Sequence, residues 1–275
     1  MHTELVSSSI GSESPTRAAD KWPRCVYERQ KTKHYIGLSF VVLTMVFWST
    51  PAATAKEFVL RKHKGIVVLD PGHGGNDTGA RGPEGILEKA VTLTLARMIE
   101  NGLENEYRVV LTRTEDYWLD IANRTAVANH LNADLFISLH TGGSFQHSVG
   151  GTSIFYFKEF SEPALTFEKP TLDALTSNDS PTPWNQIQSK YLTSSKSLAE
   201  IIRAHMSRIT QDPNSNIQGA PLLVLEGADM PAVLIEFGYL THPNEGKALG
   251  DKEFLTLIAN AISKGIEDYF RKKAK

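Results

Sequence analysis

The chain has almost no cysteine. Its 275 residues include a single one, Cys25, which lies ahead of the predicted export cleavage point. The exported part therefore has no disulfide, no thiol nucleophile and no cysteine-bound metal. Positive charge is not in excess either. Lys and Arg number 29 against 31 Asp and Glu, for a formal net charge of −2, which lacks the basic footprint of a nucleic-acid binder. No G-x-S-x-G occurs, so a serine nucleophile on a strand-to-helix elbow has no support. No H-E-x-x-H occurs, so the helix signature of a zinc peptidase acting on protein is missing. No apolar run reaches the roughly 20 residues that a comfortable spanning helix needs. What remains is an ordinary globular balance, 41% hydrophobic and 22% charged, long enough for one large domain.

The N-terminus stands apart. Residues 1–34 are polar, and Lys31, Lys33 and His34 precede an apolar run from Tyr35 to Trp48. Ser-Thr-Pro-Ala-Ala-Thr-Ala follows. A basic flank, a short apolar core and small residues predict a secretory signal peptide cut before Lys56; an uncleaved signal anchor is the alternative. Residues 1–55 are thus read as an N-terminal extension and signal peptide, and 56–275 as one exported domain, in the periplasm or in the cell wall and outside. The 34-residue lead is long for a signal peptide, and a translation start near Val26 would explain it. Removing residues 1–55 takes away 6 of 29 basic and 4 of 31 acidic residues, leaving a formal charge of −4 and no stable membrane span.

Within the exported part, strand-length apolar runs alternate with helical patterns. The candidate strands are Ile66–Leu69, Arg108–Thr112, Leu135–Leu139, Thr152–Phe157, Pro221–Leu225 and Ala232–Phe237. Several are apolar throughout, as in strands covered on both faces. The candidate helices are Leu87–Leu103, Ile121–Leu131, Ser195–Thr210 and Phe254–Lys272. This alternation predicts an α/β fold in three layers, a largely parallel twisted sheet with helices on both faces. Residues 158–190 break the rhythm with four prolines, and read as a surface insertion, partly helical near Trp184–Leu192.

Ligands of open α/β sheets bind beyond the carboxyl ends of the strands. His73 follows the first strand, inside Asp-Pro-Gly-His-Gly-Gly. His140 ends the third. Glu236 interrupts the apolar run Val233–Phe237, where an ion is costly unless paired. Glu88 opens the first helix, where an acid also suits the helix dipole. Parallel strands bring these groups to one edge. Two imidazoles and a carboxylate suit Zn²⁺, leaving a fourth position for a water whose pKa zinc lowers towards 7. A second carboxylate can take that water's proton. Taken singly, each residue also has a blander reading: a turn histidine, a buried histidine, a first-turn acid.

The ordered set is more specific. It comprises Leu69–Ala80, Glu88-Lys89, Thr112–Asp116, Asn123-Arg124, Ala128-Asn129, Ala133–His140 and Ala228–Leu240. On these residues the chain resembles the zinc-dependent N-acetylmuramoyl-L-alanine amidases of the Amidase_3 type, AmiC-like cell-wall hydrolases, over nearly all of residues 64–272. The resemblance implies one Zn²⁺ per chain held by His73, Glu88 and His140, with Glu236 as the catalytic glutamate. It implies peptidoglycan as substrate and hydrolysis of the amide between N-acetylmuramic acid and L-alanine of the stem peptide. The 158–190 insertion sits where some relatives carry a segment that covers the active site, so two readings stay open: a regulatory or substrate-gating lid on which a protein activator acts, or a flexible surface loop. A monomer is expected. Two departures stand out: Thr141-Gly142-Gly143 after His140 instead of Ala-Asn or Ala-Asp, and Gly219–Gly227 where an Arg-rich strand is usual. A wall-binding protein that keeps the fold without catalysis is the rival reading, and the four filled positions argue against it.

Overall fold

The computed structural model describes residues 62–159, 184–212 and 215–274. The expected signal peptide and residues 160–183 of the insertion lie outside the described residues. Six strands build one sheet: β1 Ile66–Pro71, β2 Arg108–Leu111, β3 Leu135–Gly142, β4 Ser153–Phe157, β5 Asn216–Ala220 and β6 Ala232–Tyr239. Their order is β2-β1-β3-β6-β4-β5. The first four are mutually parallel. β4 runs antiparallel to β6, and β5 runs parallel to β4.

Alternation along the strands feeds two cores. Val67, Leu69, Leu135, Ile137, Leu139, Val233 and Ile235 enter the larger one. Val68, Phe136, Ala232 and Leu234 enter the smaller, on the other face. Both faces are apolar because both are covered, as expected for a parallel sheet.

The larger core is closed by α1 Glu88–Leu103, α3 Leu192–Thr210 and α6 Lys252–Lys273. Leu95, Ile99, Leu198, Ile202, Ile258 and Ile262 are wholly buried there, each contributing about 1.5–3 kcal/mol on removal from water. The smaller core lies under α2 Ile121–His130 and the single turn α4 Leu223–Glu226. Asp120 caps α2 by accepting from the Ala122 N–H, and Asp251 caps α6 by accepting from Glu253 and Phe254. Such caps contribute about 1 kcal/mol each.

The expected architecture holds, with one displaced strand. Pro221–Leu225 is not a strand: β5 lies upstream at Asn216–Ala220, and Leu223–Glu226 is helical. A short apolar run does not distinguish the two states. Here Leu225 is buried in the smaller core, while β5 is a half-polar edge strand with little apolar signal. The helix α5 Pro243–Leu249 has no counterpart in the sequence reading. Trp184–Tyr191 is a 3-10 helix leading directly into α3. Within it Gln188 is buried, and its Nε2 donates to the Met230 carbonyl at 2.8 Å.

Candidate metal centre

β1 ends in Asp70-Pro71, and the chain then turns through Gly72 to His73, which has φ +63. Two buried guanidiniums hold this turn by its carbonyls. Arg113 Nε donates to Pro71 O at 2.9 Å, and its Nη2 to Gly72 O at 2.8 Å. Arg124 Nη1 donates to Pro71 O at 2.9 Å, and its Nη2 to His73 O at 3.0 Å. Buried Asp70 supplies the countercharge. It accepts from Arg124 at 2.9 Å, Thr112 Oγ1 at 2.6 Å and Ser138 Oγ at 2.8 Å.

His73 is thereby set towards Glu88, the first residue of α1. His73 Nε2 lies 3.1 Å from Glu88 Oε2. His140, near the end of β3, places Nδ1 3.1 Å from Glu88 Oε1. The two rings meet edge to face, with centroids 4.9 Å apart. Buried Glu88 also accepts the Ala80 N–H at 2.8 Å and the Thr141 N–H at 2.9 Å. Burial alone would raise its pKa. The hydrogen bonds and charge of His140 and His73 outweigh that and hold the carboxyl well below the usual range.

The glycines around His73 are explained by contact. A Cβ on Gly72 would overlap the His140 ring. A Cβ on Gly79 would sit 2.5 Å from Glu88 Oε2 and 2.6 Å from His73 Cδ2, and Gly79 has φ +63. Both histidines and the glutamate need backbone without side chains beside them.

The donor atoms of His73, Glu88 and His140 lie within 4.8 Å of one another. Two neutral imidazole nitrogens and an ionised carboxylate are a fitting donor set for Zn²⁺. His73 Nδ1 lies 2.9 Å from Asp77 Oδ2, and Asp77 Oδ1 accepts the Gly79 N–H. A carboxylate on the far nitrogen fixes the tautomer and leaves Nε2 as donor to a metal.

Glu236 on β6 is the register partner of His140. Burial raises its pKa; His140 offsets part of that, and Glu88 adds to it. The structure therefore brings together all four residues singled out in the sequence, three as one tight cluster and Glu236 on the adjoining strand.

The profile of the Amidase_3 family, described as N-acetylmuramoyl-L-alanine amidase, matches residues 67–268. The chain belongs to this amidase family. Among curated proteins it is 31% identical over 217 residues to N-acetylmuramoyl-L-alanine amidase AmiC of Neisseria meningitidis, covering 74% of this chain and 52% of that protein. It is 31% identical over 221 residues to AmiA of Escherichia coli, covering 75% and 76%. The chain thus spans about half the length of the first and three quarters of the second. Among solved structures, the catalytic domain of the amidase CwlV from Paenibacillus polymyxa aligns with a TM-score of 0.61 at 28% identity, over 75% of this chain and 98% of that one. AmiC2 of Nostoc punctiforme aligns with a TM-score of 0.61 at 28% identity, over 76% and 98%.

Within this amidase, the supporting residues Asp70, Asp77, Arg113 and Arg124 had no assigned role in the sequence reading. All four lie within the ordered set of residues that carries the family resemblance. Asp77 follows His73 by four residues in a glycine-rich turn, and Arg113 lies two residues past the end of β2. Their partners are backbone carbonyls, a histidine nitrogen and, for Asp70, the Arg124 guanidinium and two hydroxyls, and no sequence pattern displays these contacts.

Proposed function

We propose that this amidase is an exported, zinc-dependent, monomeric enzyme of the peptidoglycan. It hydrolyses the amide between the lactyl group of N-acetylmuramic acid and L-alanine of the stem peptide. The observation that carries the reading is the cluster of His73, Glu88 and His140 with Glu236 beside it, in a chain whose family profile spans that whole region.

His73, Glu88 and His140 would hold the ion. Zinc, when bound, supplies a Lewis acid that polarises the scissile carbonyl and favours ionisation of water. The chain's own groups do the rest. Glu88 stays ionised between the two imidazoles, and Asp77 keeps the His73 ring in one orientation. Glu236 accepts the proton of the attacking water as its oxygen bonds the carbonyl carbon. It then delivers that proton to the alanine nitrogen as the C–N bond breaks. Burial of Glu236 moves its pKa up towards the working range, which suits a group that must take a proton and give it back.

Residues 158–190 are proposed to govern access to the site, with a protein activator acting on them. Their length and proline-rich composition support this, as does their place between β4 and α3. The proposed export rests on the apolar run and the Ala-Thr-Ala site at residues 53–55.

Digestion of defined muropeptides, with products identified by mass, tests the reading. The expected products are a free stem peptide beginning with L-alanine and a sugar ending in lactic acid. Glu236→Gln should release neither. Cleavage inside the peptide or the glycan would overturn the assignment.

A further inference from the structure

Among the described residues, the exposed large aromatic side chains are Tyr117, Trp118 and Phe145. Trp118 is 60% exposed. All three lie on loops that leave the carboxyl ends of β2 and β3, the sheet edge that carries His73 and His140. Trp and Tyr, with a large apolar face and a polar handle, are the side chains enriched at recognition surfaces.

The Trp118 backbone is fastened to the metal-ligand turn. Arg124 Nη2 donates both to His73 O at 3.0 Å and to Leu119 O at 3.1 Å. A Cβ on Gly75 would meet Trp118 N at 2.8 Å and Trp118 Cβ at 3.2 Å. Gly75 N donates to Asp116 Oδ1 at 2.8 Å, and Lys89 Nζ bridges Gly75 O and Asp116 Oδ2 at 2.7 and 2.6 Å. The Asp116–Leu119 segment and the His73 turn thus form one braced unit, and Trp118 stands at the rim of the candidate site.

We infer that Trp118 is a stacking platform for an N-acetylated sugar ring of the glycan strand. The inference rests on the proposed peptidoglycan reading and extends it to a substrate subsite. A pyranose has an apolar C–H face and a rim of hydroxyls. It matches an exposed aromatic side chain on a loop that also carries exposed polar groups, here Asp116 and Asp120. Glu115 and Asp116 pair with Arg97 and Lys89, so the loop offers no net basic patch to the rival occupant of an exposed indole, an anionic lipid surface.

Glycan strands stripped of stem peptides are the probe, since their binding needs no turnover. Co-sedimentation and tryptophan fluorescence should show Trp118→Ala binding them about tenfold more weakly than the wild type. Trp118→Phe should restore most of the loss. On sacculi, Trp118→Ala should raise KM more than it lowers kcat. Equal binding of stripped strands by wild type and Trp118→Ala overturns the inference. So does a wild type that does not bind them, or one that binds anionic vesicles through Trp118 instead. Release of stem peptides from sacculi by the wild type is scored separately. Its absence sinks the amidase reading, whereas its presence with unchanged glycan binding sinks only the subsite.

Discussion

His140 and Glu236 are register partners on the adjacent parallel strands β3 and β6. Neighbouring strands lie about 4.8 Å apart, and partners in register share a side of the sheet. A proposed metal ligand and the proposed proton carrier are therefore fixed by the same backbone ladder. Both sit where the ladder turns irregular, between His140 and Gly142. Their relative position depends on sheet pairing and not on a mobile loop.

That position has a stability cost with a definite pH sign. Burial favours the neutral form of Glu236, and its folded pKa lies above the ordinary 4.5. The group therefore favours the fold least once pH has risen through 4.5 and past the folded pKa, where it must be buried as an anion. In the metal-free protein, Glu236→Gln should raise the melting temperature at pH 7. The gain should shrink towards pH 4, and melting curves across that range check it. A gain independent of pH would contradict the assigned cause.

Glu236→Gln should also separate binding from turnover. Loss of the proton carrier should reduce kcat by about 10²–10⁴-fold. Zinc content per chain should stay at the wild-type level, because Glu236 is not among the three clustered donors. Metal analysis alongside the muropeptide assay measures both.

Asp77 is half-exposed and bonds the far nitrogen of His73. Asp77→Ala should lower zinc affinity by about 10–100-fold while the fold persists. Competition with a chromophoric chelator gives the affinity. An unchanged affinity would remove Asp77 from the account.

The arginine brace should matter to the whole fold. Arg124→Ala strips buried Asp70 of its ion-pair partner, takes one of two donors from the Pro71 carbonyl and removes the guanidinium from the His73 carbonyl. Breaking a buried pair on one side costs about 3–5 kcal/mol. Urea denaturation should show a loss of that order. Arg97→Ala is the surface reference. Its ion pair with Glu115 is exposed, so its loss should cost under about 1 kcal/mol.

Much of this was legible in the sequence, for physical reasons. Strands such as Ile66–Leu69 are apolar throughout because both faces are covered, and α1 and α6 carry clear helical periodicity. His73 follows the end of β1, Glu88 opens α1, and His140 and Glu236 lie in the carboxyl-terminal halves of β3 and β6, on the side where the rule for ligand sites in α/β sheets looks for them. The polar edge strand β5 was not legible, because so little of it is buried. Nor was the Arg113–Asp70–Arg124 brace, since its partners are carbonyls brought together only by folding. The reason for Gly72 and Gly79 likewise becomes visible only when the His140 and Glu88 side chains are seen against them.

The most direct test of the proposed centre is a crystal structure of residues 56–275 grown with zinc. The predicted result is one ion per chain, ligated by His73, Glu88 and His140, with Glu236 facing it without being displaced from β6. An ion held by other residues, or those three side chains turned to separate places, would contradict it.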